Sequence, residues 1–314
     1  MVSNEYSLSR KQIYLSLAPC MWALILFVAI IPWVYLWSVL PFRFLHAFSS
    51  LLSKLFYGVF NYRKPLVESN IKKAFPDISK EELLSISTSF YTHFTDLLIE
   101  IVKGVTMSNS AFKKRFKVVN FEEIEGVLDS GKSVVLMAAH LNNWEWTSAL
   151  ALYTRHPFYA IYQRLNNNYF DAFMRKNRAR TGLHLLPTYQ TKATIERHQK
   201  ENKVALYGFL SDQSPTLKKA KLWTTFFDRY VPAHTGAEEL ARKNDMAVFY
   251  MHLEKVKRSH YKATFSLIAA NASQEEEFEI TKKFLRLAEQ SVLKQPQNYL
   301  WTHRRFKHES GKTA

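Results

Sequence analysis

No charged residue occurs between Lys11 and Arg43, and that gap limits the fold before any other feature does. Its core, Ile13 to Leu40, is long enough as a helix to cross a hydrocarbon layer of about 30 Å at about 1.5 Å per residue. Pro19 and Pro32 interrupt it, and Trp22, Trp33, Tyr35 and Trp37 sit where interfacial aromatic residues would. The run is too long for a secretory leader, and no small-x-small cleavage site follows it. A spanning helix and a kinked helix pair dipping into one leaflet both fit; we read the run as an uncleaved membrane anchor. Arg43, Lys54, Arg63, Lys64, Lys72 and Lys73 come after it, against Arg10 and Lys11 before it. That imbalance predicts a body on the cytoplasmic face of the membrane.

Phe42 to Phe60 is amphipathic, with Arg43, His46 and Lys54 among Phe and Leu residues. It fits a helix lying on the membrane surface and, nearly as well, an ordinary core helix. Ser79-Lys80-Glu81-Glu82 is a capping box. Leu83, Ile86, Phe90, Phe94, Leu97 and Ile101 then recur at helical spacing up to Gly104, which predicts a core-facing stripe.

From about Lys117 the pattern changes. The apolar runs Val134–Ala139, Phe158–Tyr162, Val204–Leu210 and Ala247–Leu253 alternate with helical stretches. Largely apolar strands separated by helices imply an α/β fold with a mostly parallel central sheet covered by helices. Tyr261–Ala269 reads as an added strand, antiparallel after the turn Lys257-Arg258-Ser259. Thr235-Gly236-Ala237-Glu238 and Ser273-Gln274-Glu275-Glu276 are further capping boxes, and the last helix ends near Lys294, before Pro296. With no repeat or linker visible, the expected division is an anchor and amphipathic segment over 1–60 and one α/β domain over 61–314.

The chain carries 43 basic and 27 acidic residues, a net charge of +16. Such a balance points to a polyanionic partner. No zinc-finger spacing, RNP-like aromatic motif or uninterrupted basic tail points to nucleic acid, so an anionic phospholipid surface or an acidic or phosphorylated substrate is expected instead. The single cysteine, Cys20, excludes an internal disulfide framework and a cysteine-rich metal site.

The candidate chemistry sits at Ala138-Ala139-His140-Leu141-Asn142-Asn143-Trp144-Glu145, between the apolar strand from Val134 and an amphipathic segment running from Trp144 to Tyr153. Asn143 reads as the helix N-cap, so His140 lies in the turn just before the helix. Residues five apart on one helix point about 140° from each other. His140 and Glu145 therefore meet only if His140 lies outside the helix and folds back over its first turn. In open sheets of this class, sites form at the carboxyl ends of strands. No G-x-S-x-G elbow is present, and Cys20 lies in the apolar run. A histidine–carboxylate pair without its own nucleophile acts as a general base on a hydroxyl that the substrate brings. The plainer reading is a buried histidine that only packs.

Other polar groups gather beyond the strands. Arg164 follows Tyr162-Gln163 and is placed to hold a phosphate or a developing oxyanion. Arg175, Lys176, Arg178 and Arg180 share the next helix and cannot all face one site, so most are expected in water. Asp212, in Ser211-Asp212-Gln213, either orients Arg164 or a substrate hydroxyl, or simply forms a turn. Trp301-Thr302-His303-Arg304-Arg305-Phe306-Lys307 either faces phosphates or headgroups or merely ends the domain.

Taken together, these blocks resemble the bacterial lipid A late acyltransferases, the lauroyl and myristoyl transferases within the wider lysophospholipid acyltransferases. The resemblance spans nearly the whole chain. It includes the anchor, then Tyr62-Arg63, Asn70 and Ala74-Phe75-Pro76, and His140 and Glu145 as an H-x4-D/E motif. Tyr162 with Arg164, Asp212-Gln213, Pro232-Ala233-His234-Thr235-Gly236 and the block from Pro296 to Lys307 complete it. The family often reads Tyr-Arg-Pro where this chain has Tyr162-Gln163-Arg164, and a glycine often follows the aromatics where Asp228 stands. The resemblance implies a bacterial inner-membrane enzyme with its catalytic domain on the cytoplasmic face. That enzyme moves a fatty acyl chain from acyl carrier protein to a hydroxyl of a lipid A precursor, without metal or cofactor. His140 and Glu145 would be catalytic; Arg164, Asp212, Asn143, Arg304 and Arg305 would bind substrate. A lysophospholipid or aminolipid acceptor, or a membrane-anchored lipid-binding protein without activity, are the alternatives.

Overall fold

The computed structural model describes residues 10–309, with side chains from Met21 onward; the side chains of Arg10, Lys11, Pro19 and Cys20 lie outside the described residues. Helix α1 (Arg10–Val39) runs through Pro19 and Pro32 as one element. Within it, Met21–Val39 has a mean hydropathy of 2.1, is long and apolar enough to cross a membrane, and is almost wholly exposed. Its carboxyl end is capped from elsewhere in the chain. Lys103 Nζ donates to the carbonyls of Ser38 (2.8 Å) and Leu40 (2.9 Å), and the Thr106 hydroxyl donates to Ser38 as well. A cation there answers the partial negative charge of a helix C-terminus.

Helix α2 (Phe42–Lys54) starts after Pro41 and continues into a π-turn over Leu55–Val59. The amphipathic stretch buries one face and leaves the other open. Leu45, Ser49 and Ser53 are buried, whereas Phe44, Phe48 and Leu51 stay exposed. Helices α3 (Lys64–Ala74), α4 (Lys80–Gly104) and α5 (Asn109–Arg115) come next. The α4 capping box forms as expected, with Glu82 N–H donating to Ser79 Oγ and Ser79 N–H to Glu82. Phe90 and Leu97 are buried on its inner face, as the stripe predicts.

The remaining elements, in chain order, are β1 (Phe116–Val118), α6 (Glu122–Asp129), β2 (Val134–Ala138), β3 (Phe158–Tyr162), α7 (Asn168–Ala179), β4 (His184–Pro187), α8 (Thr191–Lys200), β5 (Leu206–Leu210), β6 (Leu222–Phe226), β7 (Arg229–Ala233), α9 (Gly236–Lys243), β8 (Ala247–Lys257), β9 (His260–Ala269) and α10 (Glu279–Lys294). Among the described residues they build one seven-stranded sheet, ordered β1-β9-β8-β2-β5-β3-β4, and a separate β6–β7 hairpin. Every pairing in the large sheet is parallel except β8 with β9, which run antiparallel through the tight turn before His260. Central β2 is buried along its whole length. Val135 and Met137 face one hydrophobic cluster with Tyr207, Val248 and Phe284, while Val134 and Leu136 face another with Phe249, Ile124 and Trp146. Burial on both faces is why this strand reads as a continuous apolar run rather than an alternating one.

Two expected caps turn out differently. Thr235 does precede α9, but its hydroxyl donates to Glu239 (2.5 Å), and Glu238 is buried under Thr281, whose N–H it accepts at 2.9 Å. Ser273 starts no long helix. It lies in the short 3-10 turn Ala272–Gln274 and donates to Asp245, while α10 opens only at Glu279.

The inner face of α4 also carries charge, which hydrophobic periodicity does not reveal. Asp96 is buried and held by Arg258 Nε (2.9 Å), Lys255 Nζ (3.4 Å) and the Ser49 hydroxyl (2.7 Å). Buried Glu100 accepts from Ser259 (2.7 Å), Tyr261 (2.7 Å) and Asn143 (2.6 Å). Helix α4 thus fastens α2, the β8–β9 turn and the loop after β2 to one another. His93, on the same helix and buried, is kept neutral: burial first and then the Lys255 ammonium push its pKa down to about 3. An imidazole in the unfolded chain takes up its proton near the ordinary value of about 6.5, whereas the folded chain refuses it until far lower. This contribution to stability is intact above that value and is lost progressively as pH falls toward about 3. The thermal midpoint of the detergent-solubilised chain is expected to fall across that window, and His93→Gln to flatten the dependence. An equally steep fall in the variant would remove His93 as its source.

Candidate active site

Strand β2 ends at Ala138, and the next residues are shaped by backbone demands. Asn142 has φ +59°, a left-handed conformation that asparagine tolerates. It is buried and locked by its neighbours: its amide donates to the Leu253 carbonyl (2.6 Å), and Asn298 donates to its carbonyl oxygen (2.8 Å). From the other side, Leu300 N–H donates to the His140 carbonyl at 3.1 Å. The segment before Trp301 thus straps the turn in place. Asn143 caps the next element, accepting from Trp146 N–H at 3.1 Å as the sequence predicts, although that element is a 3-10 helix over Trp144–Leu152.

This framing leaves His140 at the carboxyl end of the sheet with 16% of its side chain exposed. Its Nδ1 lies 2.7 Å from Asp212 Oδ1, and its main-chain N–H donates to the same oxygen at 3.0 Å. The other oxygen of Asp212 accepts from the buried Tyr299 hydroxyl at 3.0 Å. Asp212 is itself buried, just past β5, the strand paired with β2. Burial alone would raise its pKa. The imidazole and these three hydrogen bonds more than offset that, holding the carboxyl below the ordinary value. A carboxylate on Nδ1 fixes that nitrogen as the N–H, so the lone pair lies on Nε2, away from the acid.

The expected contact between His140 and Glu145 does not form. Glu145 receives a two-pronged ion pair from Arg178 on α7, with Nε at 3.0 Å and Nη2 at 2.8 Å. The planar guanidinium fork matches a carboxylate geometrically, as an imidazole cannot. Asp212, expected to orient Arg164 or a hydroxyl, orients the histidine instead. Asn143 is fully buried, with its amide on Glu100 and its carbonyl on the Trp146 N–H, so it shapes the turn rather than meeting a substrate.

The terminal block divides. Arg304 is exposed, whereas Arg305 is 1% exposed, lies over the Phe226 ring at 4.7 Å and donates to the Pro232 carbonyl at 3.3 Å. A guanidinium so enclosed has no open face to offer a substrate. Arg164 lies beyond β3, half exposed, 3.8 Å from Asp171. His303, half-buried near the His140–Asp212 pair, is kept neutral: burial is the main cause of a pKa lowered to about 4. Tyr299 and Arg178 are the site residues that sequence reasoning did not single out. A tyrosine ahead of the terminal basic block and one cation among the four at Arg175, Lys176, Arg178 and Arg180 gave no pattern to mark them.

The chain is similar in sequence to known proteins. Residues 12–308 match the family model described as bacterial lipid A biosynthesis acyltransferase. The lipid A biosynthesis palmitoleoyltransferase of Escherichia coli is 20% identical over 276 residues, 87% of this chain and 88% of that protein. A lipid A biosynthesis acyltransferase of Haemophilus influenzae is 24% identical over 297 residues, 93% of this chain and 92% of its own. The lipid A biosynthesis lauroyltransferase of E. coli is 21% identical over 276 residues.

The geometry predicts one tautomer for His140. Nitrogen-15 NMR of the labelled chain above the imidazole pKa is expected to show a protonated Nδ1 and a bare Nε2. Asp212→Leu should abolish that preference and Glu145→Gln should leave it unchanged. The reverse outcome would restore Glu145 as the orienting acid.

Proposed function

The chain belongs to the bacterial lipid A biosynthesis acyltransferase family, and on that premise we propose that it moves a fatty acyl chain from acyl carrier protein to a hydroxyl of a lipid A precursor. The observation that carries the mechanism is His140, at the end of β2, with a carboxylate on Nδ1 and its other nitrogen facing outward. Nε2 accepts the proton of the acceptor hydroxyl as its oxygen attacks the thioester carbonyl. Asp212 stabilises the resulting imidazolium, with the Tyr299 hydroxyl donating to its other oxygen. The tetrahedral intermediate collapses with loss of the thiolate, which takes the proton back from His140. No group on the enzyme is acylated, in keeping with the absence of a nucleophile motif. General-base assistance of this kind is worth about 10²–10⁴-fold in rate.

In this reading Glu145 is a positioning residue. It ties the 3-10 helix that follows His140 to α7 through Arg178, and Arg164, half exposed beyond β3, acts as an anion holder. The division into an anchor over 1–60 and a catalytic domain over 61–314 belongs to the same proposal. So does placement at the inner membrane with the domain on its cytoplasmic face. The exposed apolar span Met21–Val39 and the basic residues that come after it support both. An acidic carrier protein would dock on a chain of net charge +16 by long-range attraction.

The test is transfer of a labelled acyl group from acyl carrier protein to purified lipid acceptors by the full chain, read by mass spectrometry. His140→Ala is expected to abolish product with membrane attachment intact, and near wild-type transfer would discard the assignment. Asp212→Asn should lower turnover by about 10²–10⁴-fold. Glu145→Ala and Arg178→Ala should each lower it, and the double variant should cost about as much as either single one, because they remove one contact. Turnover with the carrier-protein donor should fall as salt is added; salt-insensitive turnover would argue against the docking.

A further inference from the structure

Two blocks of the sequence have no task in the catalytic reading, Pro232-Ala233-His234-Thr235-Gly236 and the terminal run from Trp301 to Lys307. They meet at Arg305. Its Nη1 donates to the Pro232 carbonyl at 3.3 Å, and its guanidinium lies over the Phe226 ring at 4.7 Å. The side chain is 1% exposed, and Nε and Nη2 have no hydrogen-bond partner among the described residues. A guanidinium carries five N–H donors, and enclosing it with most of them unmade is costly.

The carboxylate that answers this charge is Asp212, one layer away. Phe226 packs on Tyr299 with ring centres 6.5 Å apart, and the Tyr299 hydroxyl donates to Asp212 at 3.0 Å. Desolvation lowers the Arg305 pKa, while Tyr299 and Asp212 act against that fall. Both charges are thus shut in one interior, where Coulomb forces are stronger than in water. The consequence falls on His140. An enclosed carboxylate with no other cation near it is neutralised by protonating the imidazole it touches, and a protonated imidazole cannot serve as a base. With Arg305 in place, the enclosed charges already sum to zero while His140 is neutral. The other ionisable groups around Asp212 do not supply this charge. Desolvation lowers the pKa of His234 and of His303, the latter to about 4, and raises those of Tyr250 and Tyr299. Lys219 and Lys307 face these histidines, but both are exposed and screened by water.

We propose that Arg305 is a positioning residue for acyl transfer: its enclosed guanidinium answers the charge of Asp212 across Tyr299, so that His140 stands as the free base. This rests on the acyltransferase reading, and it gives the buried arginine of the terminal block a task that needs no contact with substrate.

The experiment reads the protonation of His140 without turnover, by nitrogen-15 NMR titration of the full chain in a non-ionic detergent. The His140 signals are those missing from His140→Ala. Arg305→Met keeps the bulk over Phe226 without the charge, and Arg305→Gln keeps N–H donors without the charge. In both, His140 should hold its proton to a pH about one unit higher than in the unaltered chain. Arg305→Lys, which keeps the charge, should shift it by less than half as much. Phe226→Leu loosens the packing and leaves every charge, so it should lower the thermal midpoint without moving the titration. A titration in the neutral variants that coincides with that of the unaltered chain would overturn the proposal. So would an equal upward shift in Phe226→Leu or in Arg305→Lys. In the active chain, Arg305→Met should move the acid limb of kcat/KM upward by the same amount. A fall in kcat/KM by one factor at every pH would mark a merely structural arginine and overturn it. If the unaltered chain transfers no acyl group to any acceptor, the acyltransferase reading fails, while the NMR titration still decides whether Arg305 sets the state of His140.

Discussion

A carboxylate taken out of water must find donors or lose its charge, and Asp212 finds three: the ring and main-chain nitrogens of His140 and the hydroxyl of Tyr299. This one group joins the end of β2, the end of β5 and the segment after α10. Its demand for donors dictates the tautomer of His140 and the direction in which the lone pair points. The main-chain bond matters as much as the ring bond, because it holds the turn itself and not just the side chain. Remove the acid and the ring loses its orienting partner, and the turn one of its several holds.

A second buried carboxylate does similar work on the other side of the turn. Glu100 receives Asn143, Ser259 and Tyr261, and burial raises its pKa against the pull of those bonds. Asn143 is consequently bound from two directions, capping the 3-10 helix with its carbonyl and answering Glu100 with its amide. The loop that carries His140 is thus pinned from α4, from β8 through the Leu253 carbonyl, and from Asn298. Polar groups buried this completely confer a single geometry, since any alternative leaves several of them unpaired.

Helix α7 carries three ionic assignments in little more than two turns. Asp171 gathers Arg164 and Arg175, while Arg178 reaches Glu145. Its aromatic residues meanwhile lie against α1. The same short helix therefore touches the exposed apolar helix α1, a pair of arginines and the back of the candidate site.

Much of this was legible in the chain itself. The uncharged run between Lys11 and Arg43, the apolar runs that became β2, β3, β5 and β8, the Ser79 capping box and the placement of His140 at a strand end all stem from local patterning, and local patterning is what periodicity and capping chemistry record. The short strands β1 and β4 escaped because three or four residues do not establish a pattern, and the β6–β7 hairpin because its strands mix polar residues, Thr224, Thr225 and Arg229, with apolar ones. Partner choice was another matter. Whether His140 meets Glu145, five residues away, or Asp212, seventy-two residues away, depends on which strands become neighbours. So does the discovery that Glu145 belongs to Arg178, and that one arginine of the terminal pair is buried over an aromatic ring while the other is in water. Sequence settled which side chains stand at the edge of the sheet, since a strand ends where its apolar run ends. Only the tertiary structure settled which of them touch, since parallel pairing of β2 with β5 brings together residues that nothing in their spacing connects.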